Sequence, residues 1–237
     1  MTRKLFKETF QLKESQCTVI ADKAQGIEAA LASLKRNRQA LEDYAQNNPF
    51  FLVSFEPVAS PEAPLVARLM AEVSAKAGVG PLAAVAGVLA DLAVRDMVAA
   101  GCKVAVVEDG GEISAVSDRA VDVAVAAGDT EFSKRFGFRL TSFPVGVATS
   151  SGRFSRAFSF GSADSATVFC RTAGLADAAA TVVCNVVKGD DCEAAVQRGV
   201  DRALSIEGVD GVLVMYNGFT GTAGKIPQII KVNAEAV

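Results

Sequence analysis

Asp164-Ser-Ala-Thr-Val-Phe-Cys-Arg-Thr-Ala-Gly-Leu-Ala-Asp-Ala-Ala-Ala-Thr-Val-Val-Cys-Asn-Val-Val187 is the stretch on which the reading of the fold turns. Ser165 to Thr172 favours a strand, and the alanine-rich run after it favours a helix. Two oxygen-bearing side chains, Asp177 and Thr181, interrupt that apolar helix four residues apart. This spacing stacks them on one face, so a carboxylate and a hydroxyl can share one hard cation, which takes oxygen donors. Ala178, Ala179 and Ala180 leave room for another segment's backbone to come close with carbonyl ligands. A plainer reading stands beside it, with Asp177 favouring the helix dipole and Thr181 bonding back to a carbonyl.

Outward from that stretch, Leu5 to Ala21 reads as a β-hairpin around Lys13-Glu14-Ser15. Ile27, Leu31, Leu34, Leu41 and Tyr44 then recur at helical spacing until Asn47-Asn48-Pro49. Phe50 to Val58 is strand-like, Ser60-Pro61-Glu62 carries the signals of a helix start, and Gly78 closes that helix. A helix opened by Val79 to Asp91 runs to Gly101. Lys103 to Glu108 and Glu112 to Val116 flank a turn at Asp109-Gly110-Gly111. Val121, Val123 and Val125 alternate before Gly128-Asp129, and Gly137 to Val147 reads as extended but irregular. After the central helix come an amphipathic helix over Asp191 to Ile206 and strands over Val209 to Tyr216 and Lys225 to Val232. Strands joined by hairpins, with helices in pairs, indicate an α+β layer fold rather than a parallel doubly wound sheet. No linker divides the 237 residues, so residues 1–237 are expected to form a single domain. The order hairpin, helices, hairpin occurs loosely twice.

Composition excludes several function classes. The net charge is −3, which speaks against a nucleic-acid or membrane-surface partner, since both need a concentrated basic footprint. There is no histidine, which removes Ser-His and Cys-His nucleophiles and imidazole metal ligands together. Cys17, Cys102, Cys170, Cys184 and Cys192 form no Cys-x-x-Cys pair and read as thiols of a reducing compartment. The longest apolar run, Leu82 to Ala90, is far short of the roughly 20 residues that span a bilayer. With no secretory pattern at the N-terminus, the expectation is a cytoplasmic protein.

Three loops can meet an anion. Gly110 and Gly111 between Asp109 and Glu112 allow positive φ and close approach of a ligand to backbone, though a plain hairpin turn has the same composition. Thr149-Ser150-Ser151-Gly152 offers three hydroxyls and backbone N–H groups, as a phosphate cradle does; a surface loop also looks like this. Gly80-Pro81 opens a helix whose first N–H groups can face an anion or simply be capped.

The order of these pieces resembles the ApbE superfamily: Gly87 and Asp91 in a helix, Asp109-Gly110-Gly111-Glu112, Ala148-Thr149-Ser150-Ser151-Gly152, then Thr167-Val168 before Ala176-Asp177-Ala178-Ala179-Ala180-Thr181. The resemblance covers roughly Val79 to Val187. It extends toward both ends when the comparison is with an uncharacterised cytoplasmic branch of that superfamily. The resemblance implies a T-fold-like antiparallel sheet layered with paired helices, and magnesium-dependent flavin chemistry. It makes Asp177, Thr181 and the carbonyl near Ala83 the magnesium ligands. Gly110, Gly111, Glu112, Thr149, Ser150, Ser151 and Gly152, with Ser159, Gly161 and Asp164, would line a flavin or other nucleotide. Two departures stand out. Ala86-Gly87 replaces the transferases' Lys-Gly pair, and Phe158 to Asp164 replaces their histidine-containing segment. Phosphoryl-type transfer would then run on the ion's Lewis acidity and positioning alone, so FMN transfer to protein is not expected.

The expectation is therefore a small-molecule binder for a phosphate-bearing ligand with Mg²⁺. A two-side-chain site holds that ion weakly without a phosphate. An accessory role in anaerobic sulfur assimilation, forming homocysteine, requires Cys170 or Cys184 to face the cleft. A non-catalytic module with a relic cleft requires Phe154, Phe158 or Phe160 to plug it. Open sheet edges are compatible with a homodimer.

Overall fold

Alternation along each strand decides what lies on either side of the main sheet. In the computed structural model, residues 4–124, 136–153 and 159–231 are described. Strands β1 (Phe6–Leu12) and β2 (Ser15–Ala21) form the first hairpin, with Lys13 at φ 53° in its turn. Helices α1 (Ala24–Asn47), α2 (Phe50–Val53), α3 (Leu65–Ala77) and α4 (Val85–Ala99) follow, with a 3₁₀ turn at Pro81–Ala84 before α4. Next come β3 (Val104–Asp109), β4 (Glu112–Ser117), β5 (Val121–Ala124), β6 (Phe136–Leu140), β7 (Val145–Ser150) and β8 (Ser165–Cys170). The chain continues through α5 (Ala173–Val186), α6 (Cys192–Leu204), β9 (Val209–Tyr216), β10 (Phe219–Gly224) and β11 (Gln228–Lys231).

The larger sheet has the order β1-β2-β3-β4-β7-β8-β9-β10, antiparallel throughout. The hairpin, helices, hairpin unit thus occurs twice, as β1β2 to β3β4 and β7β8 to β9β10, joined where β4 pairs with β7. This is the expected α+β architecture. One face meets the helices through Val19, Val107, Ala148, Val168 and Val214. The other meets the small sheet β11-β6-β5 through Val106, Ile113, Val147 and Phe169, where Phe138 lies edge-on to Phe169 at 4.8 Å. At this stagger an aromatic pair adds roughly 1 kcal/mol beyond area burial.

Helix α5 is buried nearly all round, from Ala173 to Cys184, as a helix apolar on every side must be. It packs on α3, α4, α6, β7 and β8. Its small residues permit this: a Cβ on Gly87 of α4 would lie 2.3 Å from the Ala173 carbonyl oxygen. Gly78 closes α3 at φ 75°.

Two expectations need correction, a third is refined, and one strand was not read from the sequence. Phe50 to Val58 is not a strand; one helical turn after Pro49 buries Phe51 edge-on to Tyr44 at 5.3 Å, and Phe50 and Val53 are left outside. Ser60-Pro61-Glu62 makes a turn, with Ala63 N–H donating to the Ser60 carbonyl, and α3 starts after Pro64, whose φ of −58° suits a helix entrance. Gly137 to Val147 is two strands in two different sheets. Strand β10 is exposed and glycine-containing, so it lacks the apolar alternation that marks β9. Val125, Gly128, Asp129 and Val232 lie outside the described residues.

Candidate functional site

Asp177 and Thr181, one turn apart on α5, are both partly buried, neither in bulk solvent nor sealed away. Asp177 Oδ2 accepts a hydrogen bond from Gly87 N–H at 3.0 Å. Close passage of α4 over α5 at Gly87 makes that bond available, because a side chain there would separate the helices. The 3₁₀ turn carrying Ala83 also packs on α5.

The Asp109-Gly110-Gly111-Glu112 segment is a two-residue hairpin, with φ of 67° and 116° at the glycines and Asp109 directly opposite Glu112. Directly opposed residues share a face. Glu112 is in phase with Ser114, and Asp109 with Val107, so both carboxylates face the helices. Asp91 of α4 joins them from the helix layer. It accepts from Ser114 Oγ at 2.7 Å and from Ala173 and Gly174 N–H at 2.9 Å each, capping α5 where Thr172 makes no side-chain cap. Cys17 Sγ donates to Asp109 Oδ1 at 3.3 Å.

Four carboxyls therefore lie between sheet and helices. Burial pushes Asp177 up to about 7; the Gly87 hydrogen bond opposes this, while the charges of Asp109 and Asp91 add to it. Burial, then Asp177 and Asp109, drives Glu112 well above the usual carboxylate range. Asp91 and Asp109 are also raised, chiefly by burial. Among the described residues no three Asp, Glu, Cys or His side chains converge as a metal-binding group. A cation at Asp177 and Thr181 would therefore take carbonyl and ligand oxygens as well.

Further along the same band of α5 lies the second set. Cys184 is seven residues after Asp177, about 10 Å along the helix. Ser159 Oγ is 3.3 Å from Cys184 Sγ. Asn185 Oδ1 accepts from Ser159 Oγ at 3.1 Å and from Phe160 N–H at 2.9 Å. Gly161 and Gly152 are close-packing positions: a Cβ on Gly161 would lie 1.8 Å from the Cys184 carbonyl, and one on Gly152 2.2 Å from the Gly161 carbonyl.

The predicted hydroxyl loop divides. Ser150 is in phase with Ala148 and faces α5, lowering the pKa of the Cys184 thiol against a net rise from burial. Thr149 instead bonds Thr167 Oγ1 at 2.9 Å on the face with Val147 and Phe169, away from the helices. Ser151 Oγ accepts from Arg153 N–H in a local turn. Asp164 accepts from Arg153 at 2.9 Å and from Asn217 N–H at 2.7 Å, tying the β7–β8 connection to the β9–β10 turn. Sequence reading missed Asn185 and Phe55. Asp91 was legible as the single acid in the apolar first turns of α4.

A shallow groove between β1 and α1, lined by Lys7, Ile27 and Leu31 among others, carries none of the predicted residues. Among the described residues no single helix is long and apolar enough to cross a membrane; α3 and the Pro81–Ala99 segment pass that test only together, and are bent by 102°.

A doubled hairpin–helices–hairpin sheet with α5 at its centre is the ApbE type of fold. Solved structures agree: the flavinyl transferase ApbE of Pseudomonas stutzeri in its apo form superposes with TM-score 0.60 at 14% identity, covering 98% of this chain and 96% of that one. The ApbE protein of Thermotoga maritima gives 0.59 at 12%, covering 93% and 97%. The sequence profile of the family described as AbpE bacteria matches residues 3–209, and the chain belongs to that family. UPF0280 proteins are similar over nearly full length. One from Methanococcus maripaludis strain C5 is 37% identical over 239 residues, 99% of this chain and 96% of its own. Another from Methanosarcina acetivorans is 40% identical over 228 residues, 95% and 89% respectively.

Proposed function

We propose that the α5 band binds a phosphate-bearing small molecule, a flavin or other nucleotide, together with Mg²⁺ held by Asp177, Thr181 and the Ala83 carbonyl. The observation that carries this reading is the company the acids keep. The charges that raise Glu112 are those of Asp177, Asp109 and Glu108, and those that raise Asp177 are Asp109 and Asp91, while Arg38 opposes the rise at Asp109. Recessed carboxyls whose charges raise one another take up a proton or a cation. A hard cation bridging them to a phosphate would satisfy both partners. Flavin is the first choice because the structural neighbours include flavinyl transferases.

FMN transfer to protein is not part of the proposal, since the chain has no histidine and has Ala86 before Gly87. The sulfur-assimilation alternative loses support. Cys170 and Cys184 are buried, and burial pushes the Cys170 thiol up to about 12, far from a thiolate at neutral pH. The relic reading loses support too, because Phe160 leans on Phe55 at the surface; Phe154 and Phe158 lie outside the described residues. All five cysteines are free thiols, which supports a reducing, cytoplasmic location. A homodimer would use the sheet edges β1 or β10.

A thermal-shift panel of flavins and nucleotides with and without Mg²⁺ tests the reading, since a ligand favouring the native state raises Tm. A Mg²⁺-dependent shift that Asp177→Ala abolishes is expected. A panel with no cation-dependent shift refutes it.

A further inference from the structure

Strand β1 is an edge of the larger sheet, and its outer side has no strand partner among the described residues. All seven of its residues are exposed or only partly buried, with no proline to blunt the edge. Leu5 and Phe6, at its start, are exposed apolar side chains. A groove lies between β1 and α1, and Phe6, Glu8, Ile27, Glu28 and Leu31 are among the residues that line it. Pairing with β2 fixes the direction of each side chain. Phe6, Glu8 and Phe10 stand opposite Ala21, Val19 and Cys17 and share the helix side with them, whereas Lys7, Thr9 and Gln11 lie on the other side.

A second copy can extend this sheet about a two-fold axis perpendicular to it, with the two β1 strands antiparallel and both helix layers on one side. Directly opposed residues share a face, so the axis must pass through a residue. At Lys7 or Glu8 it sets like charges against each other, and at Phe10 it brings Lys7 toward Lys13 of the second copy. At Phe6, Gln11 or Leu12 much of the strand is left unpaired. At Thr9 all seven residues pair: Phe6 with Leu12, Lys7 with Gln11, Glu8 with Phe10, and Thr9 with its own copy. No like charges are then opposed. Helix α1 is complementary in the same sense. It packs over β1 and β2, and two copies beside the axis run antiparallel. Glu28 and Leu31 line the groove, and exposed Lys35 follows one turn later on that stripe. An antiparallel copy sets Glu28 against Lys35 on both sides of a Leu31 pair.

We propose that a second copy of this chain docks on β1, its own β1 antiparallel about Thr9 and its α1 beside α1, so that one antiparallel sheet runs through both chains. Main-chain hydrogen bonds along the edge hold the pair, as in strand addition generally, and the side-chain pattern sets the register. Strand β10 lacks that pattern: it has two glycines in six residues and no charge, so nothing in it specifies one alignment over another. The inference rests on the homodimer reading given above and is independent of the ligand site.

Sedimentation equilibrium of the full chain tests this through the Lys7 and Gln11 pairs, which occur twice across the axis. Gln11→Lys opposes two positive charges in each pair and should weaken the dimer by roughly fivefold or more; Gln11→Glu supplies an acid to Lys7 and should tighten it by a similar factor. Lys7→Glu combined with Gln11→Lys should restore the parent Kd. These are exposed positions, so the folded chain should keep its far-ultraviolet spectrum. The register is read separately in a Cys192→Ser background. There Thr9→Cys should form an intermolecular disulfide on mild oxidation, because residues opposed across the axis have Cβ atoms about 5 Å apart, and Glu8→Cys should not. A dimer whose Kd ignores both Gln11 charges, or one that crosslinks through Glu8→Cys instead of Thr9→Cys, overturns the β1 proposal and leaves the homodimer to another surface. A parent chain still monomeric at about 100 μM overturns both.

Discussion

Replacing Asp177 by Asn removes a charge without removing the acceptor that holds Gly87 N–H, so its effect on folding depends on pH. In the native state the carboxyl is pushed up to about 7, whereas an unfolded chain returns it to about 3.9. The folded state holds its proton more tightly, so this group's contribution is fully favourable below about pH 4 and is lost as pH rises through about 7. Between pH 5 and pH 8 the loss integrates to about 3 kcal/mol; solvent reaching the partly exposed side chain reduces that figure. For a chain of this size that corresponds to roughly 5–10 °C in Tm. Urea unfolding and thermal melts without divalent ions, at pH 5 and pH 8, measure it. The parent chain should be distinctly less stable at pH 8, and Asp177→Asn should flatten most of that slope by stabilising the alkaline state. Glu112→Gln should flatten it as well, and the double variant should gain less than the sum, because the two carboxyls act on each other. A slope unchanged in Asp177→Asn, or a variant equally destabilised at both pH values, would refute the argument that the acids are held in unfavourable company.

Three further outcomes follow from the same geometry. Asp91→Ala leaves Ser114 and the first N–H groups of α5 without their acceptor and should cost about 2–4 kcal/mol in urea unfolding; a loss below 1 kcal/mol would contradict the cross-helix cap. Gly87→Ala forces a Cβ against the Ala173 carbonyl, so destabilisation of roughly 3 kcal/mol or more is expected in thermal melts, together with loss of any Mg²⁺-dependent shift. With an aromatic disulfide reagent at pH 8, only the partly exposed Cys192 should react in the native protein and all five thiols in urea; rapid labelling of Cys184 would restore the sulfur reading.

Helix α5, the flanking strands and the doubled unit were legible because they depend on local pattern. Alanine-rich composition, a glycine at φ 75° closing α3 and the Gly-Gly hairpin all declare themselves over a few residues. What escaped depends on partners distant in sequence. Phe50 to Val53 has strand-like composition, yet Tyr44 and the core reward a single turn that buries Phe51. Strand β10 is specified by its pairing with β9, not by its own apolar content. Thr149 and Ser150 look equivalent in a hydroxyl-rich run, but strand alternation turns one to Thr167 and the other to α5.

Parity along the chain also explains why the acids meet at all. Asp109 and Glu112 are separated by two residues, so the hairpin makes them a directly opposed pair on one side of the sheet. Ser114, two residues on, then reaches Asp91, which caps the helix that carries Asp177. One residue inserted between Gly110 and Gly111 would put these two requirements in conflict. If β4 slipped by one to keep a tight turn, Ser114 and Glu112 would rotate toward the small sheet while Ile113 met the helices. If β4 kept its register, the extra residue would bulge out of the turn and alter a place where backbone can approach a ligand without a side chain in the way, since nothing lies within 4 Å of a Cβ built on Gly111. The two glycines therefore answer to strand parity before they answer to any ligand, and the acid cluster is a consequence of that closure.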